Sequence, residues 1–241
     1  MSLADLRQAV LEANQQIALR GLAIHTFGNA SGILRDDGTG KSVVAIKPSG
    51  VAYDKLTRND LVLTDLDGNV LEGKLRPSSD LDTHLLLYRE FGEIGGIVHT
   101  HSEFATAWAQ AQRPIPCFGT THADYFHGEV PVTAPLASEE VNNDYVLNTG
   151  RAITRYFRDH KLDPAAAPGV LVAGHAPFAW GRTPADAVEH ADVLEFIARL
   201  AYRTVVLQGP AKGIAAHLRD HHYQRKHGAH ATYGQKPAPA K

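Results

Sequence analysis

Cysteine is nearly missing from this 241-residue chain, with Cys117 the only one. No intrachain disulfide can form, and the composition fits a reducing compartment, so a cytoplasmic protein is expected. Apolar runs long enough to span a bilayer are also missing, which excludes a membrane partner of that kind. The N-terminal stretch MSLADLRQAV carries acids and lacks an apolar signal core, which predicts a protein that is not secreted. Charge of one sign is not in excess. Lys and Arg total 24 against 26 Asp and Glu, for a formal net charge of -2, so no broad basic surface is expected to attract nucleic acid. There is no internal repeat and no long linker before residue 236. We expect one domain over residues 1–235 and a short flexible C-terminal tail, KPAPAK, over 236–241.

What the chain does have is an apolar content of 44%, enough for a core, and fourteen histidines, the side chain most used for metal ligation and for proton transfer near neutral pH. Ser2 with Asp5 forms a helix start, followed by a stripe at Leu6, Val10 and Ile17 that should end near Gly21. Val43 to Ile46 is a β-branched run. Leu61–Leu63 and Val70–Leu71 flank Asp67-Gly68 and predict a hairpin. After Pro77, Ser78 or Ser79 can cap a helix carrying Leu81, Leu85, Tyr88 and Phe91. Gly95-Gly96 breaks it, and Ile97 to His101 reads as a buried strand. A short helix should follow Ser102, another should cover 139–160, and Val170 to Val172 should form a strand. Thr183-Pro184 with Asp186 starts a helix running to about Leu207, and a last helix includes Ile214 and Leu218. Helices alternate irregularly with strands, at least two of them in a hairpin, so a mixed sheet covered by helices is expected.

The sharpest local motif is His99-Thr100-His101. Residues i and i+2 of a strand point to one face, so one metal ion could reach both imidazoles. His175 is the third candidate, since it closes a predicted strand and follows Gly174. Asp80 is either a fourth ligand or a capping-turn acid favoured by the helix dipole. Three imidazoles and a carboxylate suit Zn²⁺, with Mn²⁺ or another divalent ion possible. A second group has the character of an anion site: Gly28-Asn29-Ala30-Ser31-Gly32, then Lys47 with Ser49 and Gly50, then Ser78-Ser79. With no G-x-x-x-x-G-K-[ST] motif, a small phosphorylated ligand is favoured over ATP. A third group holds titratable side chains suited to acid–base work: Thr120, His122, Asp124 and Tyr125, and near the C-terminus His221, His222, Tyr223 and Tyr233. A zinc hydrolase is disfavoured by HTHSEF in place of H-x-H-x-D-H and by the lack of H-E-x-x-H.

Taken in order, GNASG, KPSGV, PSSDLDTH, GGIVHTHS, GTTHADYF, PGVLVAGHAPFAWG and RKHGAHATYGQ resemble the class II aldolase/epimerase (aldolase class II/adducin-like) family from about Leu6 to Gln235. The resemblance implies a three-layer α/β/α fold around a mainly antiparallel mixed sheet, and a C4 homotetramer with active sites between subunits. It implies metal ligation by Asp80, His99, His101 and His175. It places a phosphate on Gly28, Asn29, Ser49, Gly50, Ser78 and Ser79, with Lys47 near the substrate. Asp124 and Tyr233 match an acid–base pair, with His222 and Thr120 supporting them. GTTHADYF and the C-terminal KHG…YGQ favour the epimerase branch, which implies conversion of L-ribulose 5-phosphate to D-xylulose 5-phosphate in L-arabinose or L-ascorbate breakdown. The alternatives are an aldolase on the same scaffold, which would release the two fragments, and a non-catalytic adducin-like domain, which would not need the histidines. One departure from the family pattern is a longer segment at residues 36–40, expected to form a surface hairpin.

Overall fold

The computed structural model describes residues 2–35, 41–209, 212–229, 231 and 232. The expected hairpin at 36–40, the tail at 236–241 and Tyr233 lie outside the described residues.

Seven strands form one sheet in the order β4-β3-β2-β1-β5-β7-β6. They are β1 (Asn29–Leu34), β2 (Val43–Ile46), β3 (Val62–Thr64), β4 (Val70–Glu72), β5 (Gly96–His99), β6 (Gly169–Leu171) and β7 (Pro177–Gly181). Every pairing between them is antiparallel. The mixed character expected of the sheet reduces to one isolated parallel bridge, Val132 to Leu171.

Four cross-strand rows explain how the layers assemble. Asn29, His99 and Phe178 are register partners across β1, β5 and β7, and so are Ser31, Ile97 and Trp180. Both rows face the same side, because the side chains of a strand alternate. There they meet α2 (Leu81–Glu90), with α6 (Tyr145–Asp159) packed behind it. Trp180, Tyr88 and Phe178 are among the largest enclosed side chains on this side, each worth about 1.5–3 kcal/mol of apolar burial. The intervening row, Ala30, Val98 and Ala179, faces the opposite layer, α1 (Leu3–Leu19) and α7 (Pro184–Gln208). The next row on that side is Gly32, Gly96 and Gly181. A Cβ at Gly32 would sit 2.8 Å from Pro184 and 2.9 Å from Val10, and one at Gly96 would sit 2.5 Å from the Pro184 backbone. The glycines let the two helices close on the sheet.

Local signals account for the helix ends. Ser2 and Asp5 form a reciprocal capping box on α1, as Thr183 and Asp186 do on α7. Three expectations are corrected. The cap position of α2 is Asp80, not Ser78 or Ser79, and its carboxylate makes no cap bond. The helix expected over 139–160 is two, α5 (Ser138–Asn142) and α6, because Asp144 takes a positive φ of 115° that no helix can contain. The strand expected through His101 ends at His99. The remaining helices are α3 (Glu103–Gln110), α4 (Thr120–Ala123) and α8 (Ala216–His227). Among the described residues no helix is long and apolar enough to cross a membrane, and the Cys117 thiol is free and buried.

Candidate active site

The end of β5 sets the centre of the site. His99 sits in the row between Asn29 and Phe178, stacks on the Phe178 ring at 4.1 Å, and donates its Nδ1–H to the Pro177 carbonyl at 2.9 Å. That bond leaves Nε2 as the nitrogen free to ligate. His101 lies past the strand, yet its ring is 5.0 Å from that of His99 and 5.1 Å from that of His175. His175 arrives from the turn between β6 and β7, which follows Gly174 at φ 70°. One ligand atom from each imidazole lies within 4.8 Å of the other two. The His175 Nδ1 is buried without a hydrogen-bond partner. Burial, then the neighbouring rings, lowers its pKa to about 4, and burial likewise lowers that of His101. Three imidazoles converging in this way fit a divalent metal ion.

Asp80, the fourth predicted ligand, is not in the group whose ligand atoms converge within 4.8 Å, which holds the three histidines. Its carboxylate feels His99, His84 and His175, which hold its pKa below the ordinary value although burial pushes it up. Oδ2 accepts the Asn29 amide at 2.7 Å. The same Asn29 Nδ2 donates to the Ser78 hydroxyl at 3.0 Å, which joins Asp80 to the predicted anion loops. Those loops are themselves tied together. The Ser78 N–H donates to the Lys47 carbonyl and the Ser49 N–H to the Arg76 carbonyl, each at 3.0 Å. Ser49, Gly50 and Ser79 remain exposed at the rim. Lys47 is enclosed, with Nζ 4.8 Å above the Tyr53 ring, and burial lowers its pKa. Gly28 at φ 76° passes so close to β5 that a Cβ would lie 2.6 Å from the His99 carbonyl.

The described residues predicted for acid–base work form a second group, carried by α4 and α8. His222 donates from Nδ1 to Asp124 Oδ1 at 3.0 Å, Arg225 stands 3.7 Å from the same oxygen, and His227 donates to the Asp124 carbonyl at 2.8 Å. Thr120 lies one turn before Asp124, whose N–H it accepts at 2.9 Å. Among the described residues, no hydrogen bond or ion pair links Asp124 or His222 to Asp80 or to the three imidazoles.

The family described as Class II Aldolase and Adducin N-terminal domain matches residues 8–202. The chain belongs to this family. Among curated proteins, the L-ribulose-5-phosphate 4-epimerase UlaF of Salmonella paratyphi B is 47% identical over 231 residues, covering 96% of this chain and 99% of that protein. Among solved structures, an L-fuculose 1-phosphate aldolase superposes with a TM-score of 0.76 at 23% identity, over 93% of this chain and 97% of that one. The l-fuculose-1-phosphate aldolase from Thermus thermophilus gives 0.65 at 26% identity, over 86% and 99%. This class II aldolase fold is α/β, with the antiparallel sheet described above.

Two site neighbours were not assigned a role from sequence, although His84 closes the PSSDLDTH motif. Tyr145, the first residue of α6, brings its ring 5.9 Å from that of His175. His84 is completely enclosed one turn after Asp80. Burial lowers the His84 pKa to about 3, and that of His122 in α4 to about 4. Both lie below the ordinary histidine value, so the unfolded chain takes up protons that the folded one refuses. The stability carried by these neutral rings is complete above the unfolded pKa and is lost as pH falls, by about 1.4 kcal/mol per pH unit for each ring until the folded pKa is reached. The expected result is a metal-free protein whose melting temperature declines steadily from about pH 7 to about pH 5. A flat calorimetric profile over that range would contradict it.

Proposed function

We propose that this protein inverts carbon 4 of L-ribulose 5-phosphate to give D-xylulose 5-phosphate. The observation that carries the reading is Asn29, whose single amide nitrogen bonds both Ser78 and Asp80 and so makes one site of an anion cradle and a metal centre. The near full-length likeness to L-ribulose-5-phosphate 4-epimerase UlaF supports this substrate.

The carbon 4 hydrogen is not acidified by the carbonyl at carbon 2, so direct deprotonation is a poor route to inversion. Breaking the C3–C4 bond avoids that difficulty. It leaves a three-carbon enediolate and glycolaldehyde phosphate, which re-join after the aldehyde presents its other face. Zn²⁺, with Mn²⁺ or another divalent ion as the alternative, would be held by His99, His101, His175 and Asp80 and supplies Lewis-acid stabilisation of the oxyanion charge. Asn29, Ser49, Gly50, Ser78 and Ser79 hold the phosphate, Gly28 allows the close approach, and Lys47 adds positive charge near the substrate. Anchoring by the phosphate keeps the aldehyde in place while it turns. The carbon 4 hydroxyl must lose a proton on one face and regain it on the other. Asp124 and Tyr233 are assigned that work, with His222 orienting the Asp124 carboxylate and Thr120 adjoining it.

That no hydrogen bond or ion pair joins the Asp124 group to the triad among the described residues is in keeping with sites completed by a neighbouring subunit in a C4 homotetramer. The single buried thiol is in keeping with a cytoplasmic enzyme.

The test is to incubate metal-loaded protein with L-ribulose 5-phosphate and follow products by NMR, with His99→Ala as the control. D-xylulose 5-phosphate formed only by the unaltered protein is the expected result. Accumulation of dihydroxyacetone and glycolaldehyde phosphate would point instead to an aldolase, and no turnover by metal-loaded protein would overturn the substrate.

A further inference from the structure

A polar seam runs from the metal centre into the core between β1 and α2. Asn29 and Ser31, at i and i+2, point to one face of the strand. Asp80, His84 and Tyr88, at i, i+4 and i+8, line the helix face that meets it. Asn29 holds Asp80 at 2.7 Å, the Ser31 hydroxyl lies 2.7 Å from His84 Nδ1, and the Tyr88 hydroxyl lies 2.8 Å from the same serine oxygen. Ser31, His84 and Tyr88 are all fully enclosed. Two atoms of the seam are left over: Asn29 Oδ1 and His84 Nε2 are both buried with no hydrogen-bond partner, a condition that costs a polar atom about 1–3 kcal/mol and needs a reason.

We infer that His84 is a positioning residue for the metal centre, with a proton fixed on Nε2 and directed at the Asp80 carboxylate. Ser31 has one proton and two neighbours. If Tyr88 donates to Ser31 and Ser31 donates to His84 Nδ1, the neutral ring must carry its proton on Nε2. The opposite order would leave a bare Nε2 lone pair buried on the helix face that carries the Asp80 carboxylate, with no donor offered to it. Asp80 and His84, four residues apart, are neighbours on one helix face, and the His84 ring packs 6.0 Å from the Phe178 ring that stacks on His99. A donor at Nε2 fixes where the Asp80 charge points, as partners of metal ligands do elsewhere. The inference rests on Asp80 being a ligand, as proposed above.

The experiment titrates metal-free protein with Zn²⁺ against a competing chelator. His84→Asn keeps a polar atom near the Nδ1 position for Ser31 and removes the Nε2 donor. His84→Gln keeps an N–H near the Nε2 position. Zn²⁺ affinity should fall about 10- to 100-fold in His84→Asn and recover most of that loss in His84→Gln. Tyr88→Phe, which removes the proton that sets the tautomer, should weaken binding in the same direction. In an Asp80→Ala background, His84→Asn should add no further loss. If Asp80→Ala itself leaves affinity unchanged, the ligand assignment fails. If Asp80→Ala weakens binding but His84→Asn does not, or if Asn and Gln lower melting temperature alike without moving affinity, His84 is a packing residue and the inference is overturned.

Discussion

His101→Ala is expected to lose its metal and to lower turnover of L-ribulose 5-phosphate by at least about a thousandfold, while the protein stays folded. The effect is large because the imidazole is one of the three that converge at the centre among the described residues. It is clean because His101 is exposed and makes no hydrogen bond among the described residues, its neighbours being the rings of His99, His175 and Phe27. Truncating an exposed side chain of this kind changes stability by about 0.5 kcal/mol or less. His99→Ala would be a poorer stability control. It removes a buried ring stacked on Phe178 and a bond to the Pro177 carbonyl, so lost packing would add to lost ligation. Metal content by elemental analysis, kcat and a calorimetric melt on the same sample separate the two effects. Retained metal and full turnover in His101→Ala would remove the triad from the mechanism.

That the triad was readable in advance owes less to strand periodicity than the motif suggests. The i, i+2 rule puts both rings on one face, but β5 stops at His99, and His101 reaches the centre through the turn that opens α3. The prediction is right about the convergence and wrong about the element that produces it. Asp80 shows the opposite case. Position alone could not separate a cap from a ligand, and only the Asn29 and Ser78 contacts show the carboxylate turned away from the helix end. Strands β1 and β7 were not legible. NASGIL is small and polar at its start because Asn29 and Ser31 serve the seam and Gly32 lies under Pro184. PFAWG is buried on both faces, so no alternation marks it. His84 falls one residue beside the Leu81, Leu85 and Tyr88 stripe and gives no pattern of its own. Its significance depends on which strand lies opposite, a tertiary fact. The helix starts, in contrast, rest on bonds within four residues of chain, which is why Ser2 with Asp5 and Thr183 with Asp186 were readable from sequence.

The second large effect concerns the division of the site. Asp124→Asn keeps an oxygen for the His222 N–H but cannot take a proton, so kcat should fall about 10²- to 10⁴-fold, the usual worth of a positioned acid or base. His101→Ala is inactive for a different reason. If each site draws its triad from one subunit and Asp124 from the next, the two defects can complement each other. After dissociation and reassociation of an equal mixture, a site is whole only when its triad comes from an Asp124→Asn chain and its acid from a His101→Ala neighbour. In a closed ring with random assortment that combination arises at about a quarter of the sites. Turnover should therefore rise from near zero to about a quarter of that of the unaltered protein. The geometry motivates this expectation, because Asp124 is bound into the α4–α8 group by His222, while the triad hangs on the ends of β5 and β6. A mixture that stays inactive after confirmed subunit exchange would mean that each chain's own Asp124 serves its own imidazoles. The epimerase reading would survive that result, but the two groups would then have to be brought together within one subunit.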